Sequence, residues 1–142
     1  MAASPSDAQR AVLITGCSSG IGHATALHLL ALGWVVYATA RRVDAIRDLA
    51  DAGCRTLSLD VTNDDSMRAV VETIVRHHGS VGALVNNAGF SQGGAIETTP
   101  LAKACAQFET NVFGPARLIQ LVLPGMRQDR KSTRLNSSHT DI

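Results

Sequence analysis

The apolar positions fall in short blocks whose period changes along the chain. Ala11-Val12-Leu13-Ile14-Thr15 is a continuous apolar run ending at Gly16, the pattern of a strand buried on both faces. A Gly/Ser loop separates it from an Ala/Leu-rich stretch that predicts a helix over 20–32. Gly33 then leads into Trp34-Val35-Val36-Tyr37, whose bulky β-formers predict a second strand over 34–40. A polar helix is predicted over 43–52, closed by Gly53, and a third strand over 55–59, ending at Asp60. The clearest helix follows. Met67, Val70, Val71, Ile74 and Val75 recur at i, i+3, i+4, i+7 and i+8, with Asn63 placed to cap it, Asp64 and Asp65 in its first turn and Gly79 at its end. Residues 81–85 predict a fourth strand running into Asn86-Asn87-Ala88-Gly89. Beyond a Gly-rich loop at 90–94, one long helical region over 100–127 carries Phe108, Val112, Ala116, Ile119 and Leu123 as its apolar face.

Strand and helix alternate four times with short connections. This predicts right-handed β-α-β crossovers and an α/β fold, a doubly wound parallel sheet in the spatial order 3-2-1-4 with helices on both faces. Of 142 residues, 45% are apolar and 18% charged, the composition of a folded domain and not of a disordered chain. The formal net charge of +1 leaves no electrostatic footprint for nucleic acid or an anionic membrane, so neither is expected as a partner. Residues 24–40 lack Lys, Arg, Asp and Glu, but they fall short of the about 20 apolar residues of a membrane span, and Gly33 divides them. Cys17, Cys54 and Cys105 are an odd number set far apart, which suits neither a disulfide framework nor a metal pair. A reducing, cytoplasmic setting is the expectation. Residues 1–10 are small and polar, without the blocks of a secretion signal, and read as a flexible tail.

The loop after the first strand, Thr15-Gly16-Cys17-Ser18-Ser19-Gly20-Ile21-Gly22, has the make-up of an anion cradle. Gly16 permits a tight turn, Gly20 lets the backbone approach an anion, and Gly22 lets the helix pack closely on the sheet. Ser18 and Ser19 add hydroxyl donors, and the helix N-terminus offers unpaired N–H groups to a pyrophosphate. Cys17 reads as a small residue at a variable loop position. At the end of the second strand, where a dinucleotide site reads the adenosine ribose, Ala40 is not acidic and Arg41 and Arg42 follow. A guanidinium suits a 2′-phosphate, so NADP(H) is expected to be preferred over NAD(H).

T-G-x-x-x-G-I-G after the first strand, taken with N-N-A-G after the fourth, resembles the short-chain dehydrogenase/reductase family over about residues 11–127. The resemblance implies a truncated Rossmann domain over 11–130, corresponding to the N-terminal half of the family fold, in a nicotinamide-dependent oxidoreductase. It implies that Ile21, Asn87, Ala88 and Gly89 border the cofactor, that Asp60 and Val61 contact its adenine ring, and that Asn111 is the catalytic-helix asparagine. It also implies a carbonyl compound or secondary alcohol as substrate, and a homo-oligomer, dimer or tetramer, for the intact protein. Tyr37-Ala38-Thr39-Ala40-Arg41-Arg42 is loosely similar to steroid, retinoid and acyl-ketone members.

The family's proton-transfer machinery joins the asparagine to a serine and a Tyr-x-x-x-Lys pair, the lysine lowering the tyrosine pKa from about 10. Of these the sequence holds Asn111. Its single tyrosine, Tyr37, reads as core, and neither Lys103 nor Lys131 follows a tyrosine at that spacing. Leu135-Asn136-Ser137-Ser138 is faintly similar to the family's serine-bearing fifth strand, but Lys131-Ser132-Thr133-Arg134 has two charges and no apolar residue. Residues 131–142 are therefore expected to be irregular and foreign to the domain; they resemble translated adapter sequence. His23 and His28 share no metal-binding face, and His77 and His78 suit the dipole of a helix end. Glu97, Thr98 and Thr99 read as capping residues. The alternative function is a non-catalytic NADP(H)-binding sensor module, against which N-N-A-G and Asn111 argue for the enzyme. The 142-residue chain is expected to show no turnover, which a coupled assay of NADPH oxidation with a ketone checks; ordinary enzymatic rates from this chain alone would contradict the expectation.

Overall fold

The computed structural model describes residues 10–129 and the backbone of 134–135. The first four strands, β1 (Ala11–Ile14), β2 (Val35–Ala40), β3 (Arg55–Ser58) and β4 (Ala83–Asn86), lie parallel in the order β3-β2-β1-β4, as the alternating pattern predicts. β1 is central, pairing Leu13 with both Tyr37 and Leu84. All four of its residues are buried, because successive side chains serve opposite faces. Leu13 joins Tyr37, Leu84, Met67, Ile74 and Leu118 on one side of the sheet. Val12 and Ile14 join Ala26, Val36, Ile46 and Leu49 on the other. The second side is covered by α1 (Gly20–Ala31) and by α2 (Arg47–Ala52), which follows a short 3-10 turn at Val43–Ile46. The first is covered by α3 (Asp64–His78) and by α5 (Gly114–Gln128), which follows α4 (Leu101–Phe108).

Two expectations need correction. A fifth strand, β5 (Arg134–Leu135), pairs in parallel with Val85 and Asn86 of β4, so these two residues are not irregular. Backbone N–H and C=O groups on the outer edge of β4 need partners, and a backbone ladder requires no apolar side chain. The remainder of the 131–142 expectation, Ser138 included, and most of the N-terminal tail lie outside the described residues.

The predicted single helix over 100–127 is also interrupted. A π-helical turn at Glu109–Phe113 stands between α4 and α5. Its wider hydrogen-bond ring inserts one residue, which turns the preceding side chains by about 100° against those that follow. The buried stripe is Leu118, Val122 and Met126. Phe108 and Val112 are 55% and 47% exposed, Ala116 is exposed, and Ile119 and Leu123 are half-buried.

α3 keeps its predicted stripe, with Met67, Val70, Val71 and Ile74 buried and Val75 exposed at its margin. Asn63 caps it, its Oδ1 accepting the Ser66 N–H at 3.0 Å. His78 closes the last turn of α3, as its place at a helix end predicts. It is buried, with Nε2 2.8 Å from the Tyr37 hydroxyl, and that hydroxyl accepts from Arg55 Nη1 at 2.9 Å. Tyr37 is core as expected, and its polar tip is satisfied there.

Asp64 ties α3 to α5: its carboxylate accepts from Arg68 Nε at 2.6 Å and from the Arg117 guanidinium. The Arg117 hydrogen bond first, then that of Arg68, hold the Asp64 carboxyl down to about 2, below its ordinary 3.8. The folded state thus binds this proton less readily than the unfolded chain, so the stabilisation is complete above about pH 4 and is lost as pH falls through about 2. Asp64→Asn is expected to lower the denaturation midpoint at pH 7, and the gap to wild type should close on acidification to pH about 2. A gap that stays constant across that range would rule out this linkage.

Candidate cofactor site

The loops leaving β1, β2, β3 and β4 meet at one end of the sheet, around the point where β1 and β4 send their crossovers to opposite faces, the usual place for a ligand in such a sheet. The Thr15 hydroxyl accepts the backbone N–H groups of Asn87 and Ala88 at 3.0 and 2.9 Å. The Asn87 amide in turn donates to the carbonyls of Thr15 and Gly16 at 3.1 and 3.0 Å. These four bonds fix the end of β1 to the end of β4. Gly16 stands at φ +69°, and a Cβ there would lie 2.8 Å from Ala88 Cα. A Cβ on Gly22 would overlap both the Gly16 carbonyl oxygen and the Asn87 amide nitrogen, so α1 approaches the sheet as closely as the loop reading expects. A Cβ on Gly20, at φ +60°, would meet nothing within 4 Å, because that side is open cleft.

The cleft has a volume of about 530 Å³. Gly16, Ser18, Ser19, Gly20 and Ile21 form one wall, Arg41, Asp60 and Val61 a second, and Asn87, Ala88 and Gly89 the floor beside β4. Ser19 stands at the N-cap of α1 without a side-chain capping bond, and the first turn holds no acidic residue. The partial positive charge of the helix end is therefore not answered by a side chain there. The residues present fit a dinucleotide diphosphate: glycine-lined backbone, hydroxyl donors and a helix terminus facing one open volume.

Two expected residues do not line the cleft. Gly22 lies behind it as a packing residue. Arg42 points elsewhere, forming an exposed salt bridge with Asp44 at 2.9 Å. Arg41 remains at the cleft and forms no salt bridge among the described residues. The Asp60 carboxylate accepts both the backbone N–H and the hydroxyl of Thr62, at 2.9 and 2.7 Å. The Thr62 hydroxyl first, and more weakly the charge of Arg41, hold it below its ordinary range. Cys17 is buried, and burial pushes its thiol up to about 12; such a thiol is not a nucleophile at neutral pH.

Asn111 sits in the π-helical turn and serves a purpose the sequence did not disclose. Its Oδ1 accepts the Phe90 N–H at 3.0 Å and its Nδ2 donates to the Phe90 carbonyl at 2.7 Å. It faces a second cleft of about 340 Å³ beside Gln107, Phe108 and Val112, while its neighbour Thr110 lines the larger one. Thr62, Phe90 and Thr110 are lining residues that motif reading passed over. Each directly adjoins a motif residue, and that adjacency was the available signal. Gly114 was missed too; a Cβ there would overlap the Val61 carbonyl oxygen, so α5 begins pressed against the loop after β3.

Residues 10–136 match the family described as short chain dehydrogenase. The chain belongs to that family. It is 39% identical over 127 residues to a 3-ketodihydrosphingosine reductase of Bacteroides thetaiotaomicron, covering 89% of this chain and 46% of the relative. It is 39% identical over 141 residues to human retinol dehydrogenase 8, covering 92% and 43%. An NADPH-dependent 1-acyldihydroxyacetone phosphate reductase of Schizosaccharomyces pombe is 39% identical over 114 residues, covering 79% and 38%. The chain thus spans less than half the length of these relatives. Among solved structures, a Streptomyces avermitilis short-chain dehydrogenase superposes with a TM-score of 0.85 at 40% identity, covering 90% of this chain and 48% of that one. A metagenomic short-chain oxidoreductase in complex with NADP gives 0.82 at 29% identity, covering 93% and 62%. The family match extends through β5.

Gly22→Ala should destabilise the fold by about 1–3 kcal/mol, since the methyl meets backbone and a buried amide. Gly20→Ala has room for its methyl and loses roughly 1–2 kcal/mol through its left-handed backbone alone. Urea unfolding of the two variants checks this, and an unchanged midpoint for Gly22→Ala would mean that α1 does not sit this close.

Proposed function

We propose that the full protein is an NADP(H)-preferring carbonyl reductase or secondary alcohol dehydrogenase. One observation carries the cofactor preference: β2 enters the cleft as Ala40-Arg41, with no carboxylate at the ribose position and a guanidinium in the lining. An acidic residue there would bind the two ribose hydroxyls and repel a 2′-phosphate. Arg41 carries the phosphate contact in this reading, and Arg42 holds the turn through Asp44. When bound, the nicotinamide supplies or accepts the hydride. The chain's own residues hold the diphosphate at Ser18–Ile21, border the adenine at Asp60 and Val61, and fix the loop after β4 through Asn111.

The substrate class in this proposal is an apolar carbonyl compound or secondary alcohol. The names of the three relatives favour it, since each denotes an enzyme of a lipid. Exposed Phe90 and Ile96 in the loop after β4 agree with it. Exposed Leu101, Phe108, Val112 and Phe113 support a homo-oligomer, and the three free cysteines a reducing, cytoplasmic setting. A non-catalytic NADP(H)-binding module is the second reading. It is favoured by the commitment of both polar ends of Asn111 to Phe90; turnover of a ketone by the full-length protein would exclude it.

NADPH should bind more tightly than NADH by about ten- to hundredfold, the worth of one charge-assisted contact. Arg41→Ala should abolish most of that ratio and Arg42→Ala little of it. Calorimetric titration of both cofactors measures the ratio, and equal wild-type affinities would refute the assignment.

A further inference from the structure

Two side-chain hydrogen bonds hold the ends of the segment that carries Arg41, and Ile46 between them is buried in the core. At its inner end the Ser58 hydroxyl donates to the Arg41 carbonyl oxygen at 3.0 Å. At its outer end His23 Nε2 lies 2.6 Å from Asp48 Oδ2. His23 directly follows Gly22 in the first turn of α1, and Asp48 lies in the first turn of α2. A carboxylate only accepts, so the imidazole nitrogen donates, which it can do neutral or charged. The bond is the largest cause holding the Asp48 carboxyl below its ordinary range. Between the two anchors, the Arg42–Asp44 salt bridge and the Ala45 N–H bond to the Arg42 carbonyl, at 3.1 Å, are internal to the segment. They stiffen it, and the buried Ile46 side chain seats its middle on the core.

A ribose carrying a 2′-phosphate has to reach from the glycine-rich loop to Arg41, and the distance between those two walls depends on how α2 sits against the start of α1. We propose that His23 and Asp48 form a latch that sets this spacing, and that they act as positioning residues for the 2′-phosphate. The inference rests on the NADP(H) reading of the cleft. The side chains of His23 and Asp48 are 29% and 63% exposed, and pairs this exposed contribute little to folding. Loss of the latch therefore leaves the domain folded and the diphosphate loop intact, while the Arg41 segment, still seated through Ile46, gains slack at its outer end.

The test uses the 142-residue chain with two adenosine probes, 2′,5′-ADP and 5′-AMP, and measures both dissociation constants and the thermal midpoint. His23→Ala and Asp48→Ala should each lower the preference for 2′,5′-ADP by about two- to fivefold, and the double variant by no more than either alone. Affinity for 5′-AMP and the thermal midpoint should stay at wild-type values. His23→Gln, whose amide can donate from nearly the same place, should retain most of the preference. If wild type does not distinguish the probes, the NADP(H) reading fails and the latch with it. If wild type prefers 2′,5′-ADP and both alanine variants keep that preference, the latch alone is overturned. A parallel fall in 5′-AMP affinity and midpoint would show a merely structural pair and overturn it as well.

Discussion

Thr15 and Asn87 hold the site together across 72 residues of chain. Buried hydroxyl and amide groups are costly without partners, and here each meets the other's backbone at the parting of β1 and β4. The Thr15 hydroxyl takes two N–H groups and the Asn87 amide reaches two carbonyls. Everything on the floor of the cleft follows from that exchange. Gly16 must turn left-handed within reach of Ala88, and Gly22 must lack a side chain because the Asn87 amide occupies its space. α1 can then bring its first N–H groups to the cleft edge.

Charge in the cleft is distributed by the same local bonding. Asp60 and Arg41 line the same wall, yet the Asp60 carboxylate is turned to the backbone and hydroxyl of Thr62 and shapes a turn. Arg42 is matched by Asp44. Arg41 and the N-terminus of α1 are left as positive features lining the same cleft, an arrangement suited to a ligand with phosphate at two points.

Much of this was legible in the sequence, and the reasons are particular. β1 and β2 read clearly because a strand buried on both faces is a continuous apolar run, and α3 because its stripe faces a sheet on one side only. The glycine loop was readable since each glycine answers a separate steric demand. The π-helical turn was not, because one period was applied across 100–127 while the chain changes phase at Glu109–Phe113. β5 escaped notice because its pairing with Val85 and Asn86 is made by backbone, which side-chain polarity does not report. The burial of His78 was not legible either, since nothing local announces a Tyr37 hydroxyl 41 residues away. Arg42 and Arg41 are indistinguishable as letters; the geometry of Asp44 separates them.

The phase change in the helix has a further consequence. Thr110 faces the large cleft, Asn111 grips Phe90, and Leu118, Val122 and Met126 enter the core. These three assignments are compatible only because one residue is absorbed between them. The stretch behaves like a vernier, two scales on one rod deliberately out of step. Changing a residue within it alters one mark. Adding or removing one would shift a whole scale by about 100°, carrying Thr110 and Asn111 away from their targets together. Loops ordinarily tolerate changes of length. Here length is the quantity under constraint.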